Sequence, residues 1–382
     1  MPKLRILFAG GGTAGHFYPL VAVAEELGAL TAKNNWELEM RYMGAAGSYA
    51  QELIRHHIRV VALLSSKLRR YLAIQNLVDI PKFFISFFQA LWKMYWYMPD
   101  VLFSKGGPGS LPVVLAARWY GIPIFIHESD AVPGLSNRIA ARYAKRIAIA
   151  FTSAERYFPG KNVALVGNPV RRFLFSEYNP QDVAKRALGF NPALPLLLVW
   201  GGSQGAVALN DFILDNLEPL IRDYQVLHQV GERNYEQVTK ELVFLLKEFV
   251  PEEKARYRAV AFLEKEVKDA LAAADLVIGR AGSGTIFELA AAGKPAILVP
   301  LPDAANGHQR ENAYEFAGKG GAIVIEQENL LTNIFLTQLK KLFSEKETLA
   351  TMAASAKQFA KPEAAAKIAE EVVNVWKAYS FN

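Results

Sequence analysis

The sequence predicts an α/β protein made of two doubly wound, Rossmann-like domains that face each other across a cleft. Three observations lead to this prediction. The chain has 382 residues, which is too long for one ordinary core and suits two domains of roughly 150–200 residues each. Short β-rich runs alternate with helical patterns along nearly the whole chain. A strand followed by a glycine loop and a helix opens each half, at Gly10–Gly15 and again at Gly201–Gly205.

The predicted strands form two series, one in each half of the chain. Leu4–Ala9 begins the first series, and a helix over Tyr18–Ala32 with Pro19 in its first turn follows it. Because helical segments separate successive strands, both sheets are expected to be parallel. The remaining predicted strands are Glu37–Tyr42, Ile58–Leu63, Val101–Phe103, Pro123–Ile126, Ile147–Ala150, Val163–Val166, Leu196–Trp200, Gln225–His228, Arg258–Ala261, Leu276–Ile278, Ala296–Val299 and Ala322–Ile325.

The boundary between the domains is predicted near Gly167–Glu177, where GNPVRR precedes a polar stretch rich in turn residues. The first domain would cover residues 1–168 and the second residues 169–362. A helix within residues 363–382 is long enough to pack back toward the first domain. Ligands of such folds bind outside the carboxyl ends of the strands.

Composition narrows the classes of function. The chain contains no cysteine, which excludes disulfides, thiolate nucleophiles and cysteine-ligated metals. The net charge of +6 fits anionic partners such as nucleotide phosphates or an acidic membrane face. We expect no nucleic acid partner, because no RNP, zinc-finger or helix-turn-helix signature is present. We also expect neither a signal peptide nor a membrane-spanning helix.

The first glycine loop is a candidate phosphate site. Glycines let backbone N–H groups approach a ligand, and the N-terminus of the following helix favours negative charge. The spacing of Gly10–Gly15 is not that of the dinucleotide fingerprint. His16 follows this loop and is either a general base, since imidazole titrates near neutral pH, or a histidine bonded to the helix start.

Three further segments in the second half carry candidate ligand contacts. Gly202 and Ser203 lie in a loop between a strand and a helix, an arrangement suited to a diphosphate. Gly282 precedes a helix that contains Glu288, whose carboxylate can accept hydrogen bonds from a ribose or simply stabilise the helix. The long polar loop with His308 and Gln309 either reads sugar hydroxyls or is only solvated.

Five motifs together resemble those of one family. They are GGGTAGHFYPLVAVAEEL, LPVVLAARWYGIPIFIHESD, VGNPVR, GGSQGAVALN and RAGSGTIFELAAAGKPAILVP. In this order they resemble the cell-wall N-acetylglucosaminyltransferases of glycosyltransferase family 28, which have the GT-B fold. The resemblance covers about Leu4 to Gln327. It implies inverting transfer of N-acetylglucosamine from UDP-GlcNAc to the C4 hydroxyl of the muramyl sugar of lipid I, which gives lipid II.

The resemblance also implies roles for individual residues. His16 would be the base, and UDP-GlcNAc would be a substrate, with no cofactor and no catalytic metal. The acceptor diphosphate would be faced by Gly12, Thr13 and Gly15. The donor would be bound by Arg171, Gly202, Ser203, Gly282, Glu288, His308 and Gln309.

Three differences from the family pattern lie on the acceptor side. Ala14 stands where the family usually has glycine, and Lys105–Ser110 replaces a glycine pair followed by an aromatic residue. Asp130 stands where asparagine is usual. The Asp130 carboxylate would share the base role with His16 or raise the pKa of His16; alternatively, it would make the hydrogen bonds that asparagine makes.

An aromatic segment, KFFISFFQALWKMYWY at residues 82–97, predicts a helix with one strongly apolar face. Such a face packs against its own sheet or rests on a bilayer. With the basic residues Lys67, Arg69 and Arg70 before it, the segment suggests contact with an anionic inner-membrane surface. The protein would then be peripheral, on the cytoplasmic side of the cell membrane. The proposed membrane contacts are Phe83, Phe84, Phe87, Phe88 and Trp92.

Other functions remain open at this stage. One is a family 28 transferase with a different lipid or small-molecule acceptor, which the three acceptor-side differences allow. Another is a UDP-sugar epimerase of similar architecture, which would act without an acceptor. A third is a nucleotide-sugar-binding subunit without catalysis, against which the presence of His16 and Glu288 argues.

Overall fold

A computed structural model describes residues 1–11, 14–64, 75–202, 205–264 and 266–380. The chain divides into two compact units. Unit 1 comprises Met1–Arg171 together with Lys361–Asn382, and unit 2 comprises Arg172–Ala360. The first division falls after Arg171 rather than after residue 168, and the C-terminal segment belongs to unit 1.

Every strand predicted from the sequence is present, with ends that differ by at most a few residues. The strands are β1 (Lys3–Ala9), β2 (Glu37–Gly44), β3 (Ile58–Ala62), β4 (Val101–Ser104), β5 (Ile124–Glu128), β6 (Arg146–Ile149), β7 (Val163–Leu165), β8 (Leu196–Trp200), β9 (Gln225–Gln229), β10 (Tyr257–Val260), β11 (Leu276–Gly279), β12 (Ala296–Leu298) and β13 (Ala322–Val324).

Helices separate most successive strands in both units. They are α1 (Ala14–Lys33), α2 (Ala50–Arg55), α3 (Gln75–Tyr97), α4 (Ser110–Trp119), α5 (Leu135–Ala140), α6 (Gln181–Ala187), α7 (Val207–Asp215), α8 (Leu217–Asp223), α9 (Tyr235–Leu245), α10 (Pro251–Lys254), α11 (Val267–Ala273), α12 (Ser283–Ala292), α13 (His308–Gly318), α14 (Thr332–Ser344), α15 (Lys346–Phe359) and α16 (Ala364–Ser380).

Unit 1 is built on a seven-stranded sheet in the order β3-β2-β1-β4-β5-β6-β7. All of its neighbouring strands are parallel; for example, Ile6 pairs with Met40 of β2 and with Val101 of β4. A parallel sheet of this kind is covered on both faces, so its strands are apolar on both sides. In β1, Ile6 and Phe8 join a core with α1 and α16, while Leu7 joins a second core with α3 and α4.

Unit 2 repeats this plan with six parallel strands in the order β10-β9-β8-β11-β12-β13. Its sheet is doubly wound, as predicted, because the order reverses between β8 and β11. Leu197 and Val199 of β8 pack into a core with Ile213 of α7 and with Phe335 and Leu339 of α14. Both units therefore have the predicted α/β class.

The first helix begins earlier than the sequence predicts. The prediction placed its start at Tyr18, so that Pro19 would occupy the first turn, whereas α1 begins at Ala14 and contains Pro19 in its interior. Proline lacks the N–H that would bond to the carbonyl four residues back, which made an earlier start unfavourable from sequence alone. As a result His16 lies inside the first turn of α1, rather than before it.

The aromatic segment forms the C-terminal two-thirds of α3. Ser86, Ala90 and Met94 form its buried side. The side chains of Phe84, Phe88 and Trp92 are exposed, at 55%, 63% and 66%. Phe83 and Phe87 are half-buried. The five predicted membrane contacts therefore divide between an exposed edge with Phe84, Phe88 and Trp92 and a partly packed edge with Phe83 and Phe87. Lys67, Arg69 and Arg70 lie outside the described residues.

Within the described residues, no helix combines the length and the apolar character needed to cross a bilayer.

Candidate active site

The candidate acceptor half of the site lies in unit 1 where the strand order reverses. β1 and β4 are neighbours there, and the chain leaves them in opposite directions across the sheet. Doubly wound sheets bind ligands outside the carboxyl ends of the strands at this point. His16 lies in the first turn of α1, which follows the loop after β1, while Lys105 and Asp130 lie in the loops after β4 and β5.

The loops after β1 and β4 touch each other next to His16. Gly107 has φ +91°, and a Cβ added there would lie 3.0 Å from Gly11 Cα and 3.5 Å from His16 Cε1. A Cβ on Gly11 would lie 2.9 Å from Pro108 Cδ. Glycine is therefore required at both positions, because a side chain would push the two loops apart. The His16 ring is half-buried and lies next to this contact.

A buried lysine lies beneath these loops. Lys105 is only 2% exposed, and its Nζ contacts His127 Nδ1 at 2.5 Å, Asn168 Oδ1 at 3.2 Å, and Ser129 Oγ. His127 Nε2 lies 2.8 Å from the Gly167 carbonyl. A carbonyl only accepts, so Nε2 carries the proton and Nδ1 accepts from the lysine. Burial, followed by the Lys105 charge, lowers the pKa of His127 well below its usual range, which keeps the ring neutral.

Two carboxyl groups stand next to this lysine. Glu128 is 4% exposed and accepts hydrogen bonds from the backbone N–H of Asp130 at 3.0 Å and from Asn137 Nδ2 at 2.9 Å. The N–H of Gly134 donates to it at 3.2 Å. The side chain of Asp130 is half-buried. The carboxyl end of β5 thus carries two carboxyl groups, those of Glu128 and Asp130, near the single ammonium of Lys105.

Burial shifts the pKa values of Glu128 and Lys105 in opposite directions. It raises the pKa of Glu128 to about 7, with a further increase from the Asp130 charge, while Lys105 acts against the shift. Burial lowers the pKa of Lys105 to about 7, and the Glu128 and Asp130 charges oppose this. Perturbed titratable groups of this kind concentrate at functional sites.

The remaining predicted site residues in the sequence of unit 1 are three predicted acceptor residues, Gly12, Thr13 and Gly15, and one predicted donor residue, Arg171. Gly12 and Thr13 lie outside the described residues. Gly15 is exposed in the first turn of α1. Arg171 was predicted to lie by the nucleotide; it is the last residue of the first segment of unit 1, and its guanidinium lies over the Tyr18 ring at 5.1 Å.

The candidate donor half lies in unit 2 at the corresponding point of its sheet. Gly202 follows β8 with φ +80°, a conformation that favours glycine. Its carbonyl accepts a hydrogen bond from Gln229 Nε2 at 2.9 Å, and Gln229 Oε1 accepts from the N–H of Leu263 at 3.0 Å. Gln229 is fully buried, so it fixes the loop after β8 to the segment after β10. Ser203 lies outside the described residues.

The loops after β11 and β12 complete this half. Gly282 is the N-cap of α12, and Glu288 is half-buried in the second turn of that helix. His308 begins α13, and the adjacent Gln309 accepts a hydrogen bond from the N–H of Leu301 at 3.1 Å. Arg280, in the loop after β11, donates to the Val299 carbonyl in the loop after β12 at 3.1 Å and to Gln327 Oε1 in the segment after β13 at 2.7 Å.

Sequence reasoning singled out Asp130 and the glycine loops but missed the residues that hold them. Lys105 was noted only as part of a departure from the family pattern, and Gln229 was not noted at all. One signal was available: SKGG and IHESD place polar and charged residues directly after apolar strands. Among the described residues, no group of three or more histidines and acids could hold a metal ion.

Comparison with known proteins decides the family. The N-terminal domain model of glycosyltransferase family 28 matches residues 6–149, and the C-terminal domain model of the same family matches residues 196–368. A relative from Treponema denticola is 35% identical over 383 residues, which covers 96% of each chain. The chain belongs to glycosyltransferase family 28.

The similar members of family 28 carry one name. The Treponema denticola relative and one from Staphylococcus aureus, which is 36% identical and covers 90% of this chain and 91% of its own, are both called UDP-N-acetylglucosamine–N-acetylmuramyl-(pentapeptide) pyrophosphoryl-undecaprenol N-acetylglucosamine transferase.

Solved structures agree with this family assignment. MurG of Acinetobacter baumannii superposes with a TM-score of 0.72 at 27% identity, over 98% of this chain and 100% of its own. The fold is therefore GT-B, as the resemblance implied. The UDP-GlcNAc 2-epimerase of Neisseria meningitidis matches with a TM-score of 0.67 but only 13% identity, over 97% and 100% of the chains, so it shares the fold alone.

Proposed function

We infer that this chain transfers N-acetylglucosamine from UDP-GlcNAc to the C4 hydroxyl of the muramyl sugar of lipid I, with inversion, to form lipid II. The observation that carries this function is the similarity to transferases of that name at 35% identity, over 96% of both chains. It spans both units, so it includes the acceptor half and the donor half. The epimerase alternative rests on a likeness of fold only.

We propose that His16 is the general base of the reaction. The base takes the proton from the acceptor C4 hydroxyl, whose oxygen attacks the anomeric carbon of the donor sugar. The bond from that carbon to the diphosphate oxygen breaks, and UDP leaves from the opposite face. The position of His16 supports this role, because its ring lies next to Gly107, where the loops after β1 and β4 meet.

The departing UDP requires fixed positive dipoles. We propose that the loop after β8 and the N-terminus of α12 stabilise its charge, with Gly202, Ser203 and Gly282 against the diphosphate and Glu288 on the ribose. His308 and Gln309 at the start of α13 would meet the sugar, and Arg171 would support the nucleotide pocket. Gly12, Thr13 and Gly15 would face the acceptor diphosphate.

The test of this function is UDP release from UDP-GlcNAc with and without a lipid I analogue. We expect release that depends on the acceptor and yields a new disaccharide. His16→Ala should lower kcat by about 10²–10⁴-fold, the usual contribution of a general base. His56→Ala is the matched control, since this histidine of unit 1 contacts Glu25 at 3.2 Å and Glu52 at 3.4 Å, away from the loops of the site.

Release of UDP without an acceptor would contradict the transferase assignment and favour an epimerase. The same assay tests the expectation that no metal takes part. Activity should persist in excess EDTA; a loss that Mg²⁺ restores would contradict that expectation.

We propose that the exposed face of α3 binds the cytoplasmic surface of the membrane and brings the acceptor half to its lipid-linked substrate. Phe84, Phe88, Trp92 and Trp96 expose between 55% and 69% of their surface along one side of this helix. Amphipathic helices with such a face and nearby cations lie in the interface of anionic bilayers. On the same helix, Lys93 donates to the Ala62 carbonyl at 2.6 Å, which anchors the other side of α3 to the end of β3.

Sedimentation with vesicles of phosphatidylglycerol and phosphatidylethanolamine tests this membrane proposal. The double variant Phe88→Ser, Trp92→Ser should lower the bound fraction. Phe244→Ser is the matched control, since Phe244 is an aromatic residue of α9 in unit 2 with 79% of its surface exposed. Equal loss in both variants, or no binding of the wild type at low salt, would contradict the proposal.

A further inference from the structure

The most unusual buried group of unit 1 is the ammonium of Lys105. It is 2% exposed and lies at the carboxyl end of β4, directly before the Gly106–Gly107 turn that lies next to His16. Withdrawing a charged ammonium from water is costly unless its donors are satisfied and a counter-charge is near. A neutral side chain of similar length would fill the same space, so the charge itself requires an explanation.

The contacts of Lys105 match the charged form. An ammonium has three N–H donors, and Lys105 has three acceptors: His127 Nδ1, Ser129 Oγ and Asn168 Oδ1. The proton on His127 Nε2, which the Gly167 carbonyl requires, leaves Nδ1 free to accept. These acceptors come from the end of β5 and from the segment after β7, so one side chain joins three parts of the sheet edge.

The contacts of Glu128 match its charged form as well. Both of its carboxyl oxygens accept N–H donors, from Asp130, Gly134 and Asn137. A protonated carboxyl would need an acceptor for its own hydrogen, and these three partners are all donors. Lys105 is therefore the counter-charge for a buried carboxylate and for the neighbouring half-buried Asp130.

A chain of contacts leads from this charge group to the base. Gly106 has φ +76°, and a Cβ added there would lie 2.6 Å from Asn137 Oδ1, so the turn packs directly against the amide that holds Glu128. Gly107 packs against Gly11 on its other side, and a Cβ added to Gly107 would lie 3.5 Å from His16 Cε1. A shift of the Lys105 group would therefore move the turn that lies next to the His16 ring.

We propose that Lys105 is a positioning residue for the transfer reaction: its buried ammonium fixes the Ser129–Asp130 segment and the Gly106–Gly107 turn, and balances the Glu128 and Asp130 carboxylates on the acceptor side. This inference rests on the proposed function, because it assigns a further residue to the same site. Three titratable groups at the end of β5 face the ammonium: His127, Glu128 and Asp130. The segment after β7 contributes Asn168, which does not titrate. From α1, His16 lies on the far side of Gly107.

The first test is Lys105→Met, which keeps the length of the side chain and removes the charge. We expect kcat to fall by about 100-fold, the loss that a misplacement of about 1 Å can cause, while KM for UDP-GlcNAc changes little. Burial and the Asp130 charge raise the pKa of Glu128, and Lys105 opposes them. Without the lysine that pKa rises further, so the acid limb of the kcat profile should move to higher pH.

Lys185→Met is the matched control. Lys185 is a lysine of unit 2 that is 4% exposed and pairs with Asp275 at 2.8 Å. This variant also removes a buried ammonium, so it should be destabilised, yet its kcat per folded molecule and its pH profile should equal those of the wild type. If Lys105→Met behaves in the same way as Lys185→Met, the lysine is only structural and the proposal is overturned.

Ser129→Ala is a second test variant, which can replace Lys105→Met if that variant does not fold. It keeps the ammonium and removes the one contact that reaches the Asp130 segment. We expect a smaller fall in kcat, again without a change in KM for UDP-GlcNAc. A folded Ser129→Ala variant with the kcat of the wild type would overturn the positioning role.

A measurement without substrate separates this inference from the proposed function. In the wild type, burial raises the pKa of Glu128 to about 7, so the native state binds more protons than the unfolded state below about that pH, and stability falls as the pH rises to it. In Lys105→Met the pKa of Glu128 rises further, so the native state of the variant still binds more protons above pH 7 and its stability continues to fall there. The difference in unfolding free energy between wild type and variant should therefore widen from about pH 7 to about pH 9.

A constant difference over that range would overturn the charge balance, even if the wild type transfers the sugar as proposed. Conversely, a wild type that is inactive with the lipid I analogue but shows the widening difference would contradict the proposed function and leave the charge balance supported.

Discussion

At the scale of single residues, the ionisation of two carboxyl groups sets the charge in the proposed acceptor half of the site. Asp130 raises the pKa of Glu128, although burial is the larger cause of that increase. The two acids are joined through the hydrogen bond from the Asp130 N–H to Glu128. A change at either acid therefore alters the proton affinity of the other.

Asp130→Asn removes one negative charge and keeps the size of the side chain. The pKa of Glu128 should fall, so the acid limb of the kcat profile should move to lower pH, the direction opposite to that expected for Lys105→Met. The shared-base hypothesis also requires kcat to decrease. A variant with the turnover and pH profile of the wild type would show that Asp130 only makes the hydrogen bonds that asparagine makes. Initial rates of UDP release from about pH 5 to pH 9 measure both effects.

In the donor half, Gln229 is the residue that holds the loop after β8. Gln229→Leu removes the donor to the Gly202 carbonyl, which keeps only its hydrogen bond from the Gly205 N–H, and it leaves the buried Leu263 N–H without its acceptor. An unsatisfied buried N–H costs about 1–3 kcal/mol. We expect KM for UDP-GlcNAc to rise by about tenfold, equivalent to about 1.4 kcal/mol, with little change in KM for the acceptor.

Gln225→Leu provides the control for this prediction. Gln225 is 2% exposed at the opposite end of the same strand, β9, where it bonds to Asn191 and Leu194. Its loss should lower stability but leave KM for UDP-GlcNAc unchanged. A similar rise of this KM in both variants would mean that Gln229 acts through general stability rather than through the loop. Initial rates at varied UDP-GlcNAc, together with urea unfolding, distinguish these outcomes.

At the scale of elements, the helix that closes the chain supports the sheet of unit 1. Ile368, Val372 and Trp376 of α16 are buried in the core that also contains β1 and α1. The rings of Trp36 and Trp376 meet edge to face, with centroids 5.0 Å apart. α16 therefore packs into the core of unit 1, although the whole of unit 2 lies between it and the rest of unit 1 in the sequence.

Trp376→Ala should destabilise unit 1 by about 3–5 kcal/mol, because it leaves a cavity where a large side chain was fully packed. Lys367→Ala, on an exposed position of the same helix, should cost less than about 0.5 kcal/mol. Urea unfolding followed by far-UV circular dichroism measures both. If the two variants are equally stable, α16 does not contribute to the core as described.

The elements also show how far sequence reasoning reaches. Strand positions follow from local apolar runs such as Leu196–Trp200, and the parallel order follows from the helices between them. The predicted start of α1 was wrong, because the packing of Phe17 and Leu20 in the core outweighs the local cost of placing Pro19 inside the helix. The burial of Lys105 depends on β5 and on Asn168, 63 positions away. Such an arrangement cannot be read from local pattern.

At the scale of the whole molecule, one architecture occurs twice with two different kinds of loop. Each sheet reverses its strand order once, between β1 and β4 in unit 1 and between β8 and β11 in unit 2. The segments at the first point carry three titratable side chains, those of Lys105, Glu128 and Asp130. The loops at the second present glycines and a helix N-terminus, and buried Gln229 at the end of β9 holds the first of them. This difference fits the proposed proton transfer in unit 1 and the proposed binding of the donor diphosphate in unit 2.

A donor nucleotide should therefore stabilise the units unequally. We expect UDP alone to slow amide hydrogen exchange in the loops after β8, β11 and β12 and in the first turn of α12, with little effect on the loops after β1 and β4. A ligand at about 100 times its Kd stabilises the state that binds it by about 2.7 kcal/mol, which is ample for detection by exchange and mass spectrometry. Gln229→Leu should weaken this protection, and Lys105→Met should leave it intact. Protection by UDP confined to unit 1 would contradict the assignment of donor and acceptor halves, since the diphosphate would then bind at the loops that carry His16.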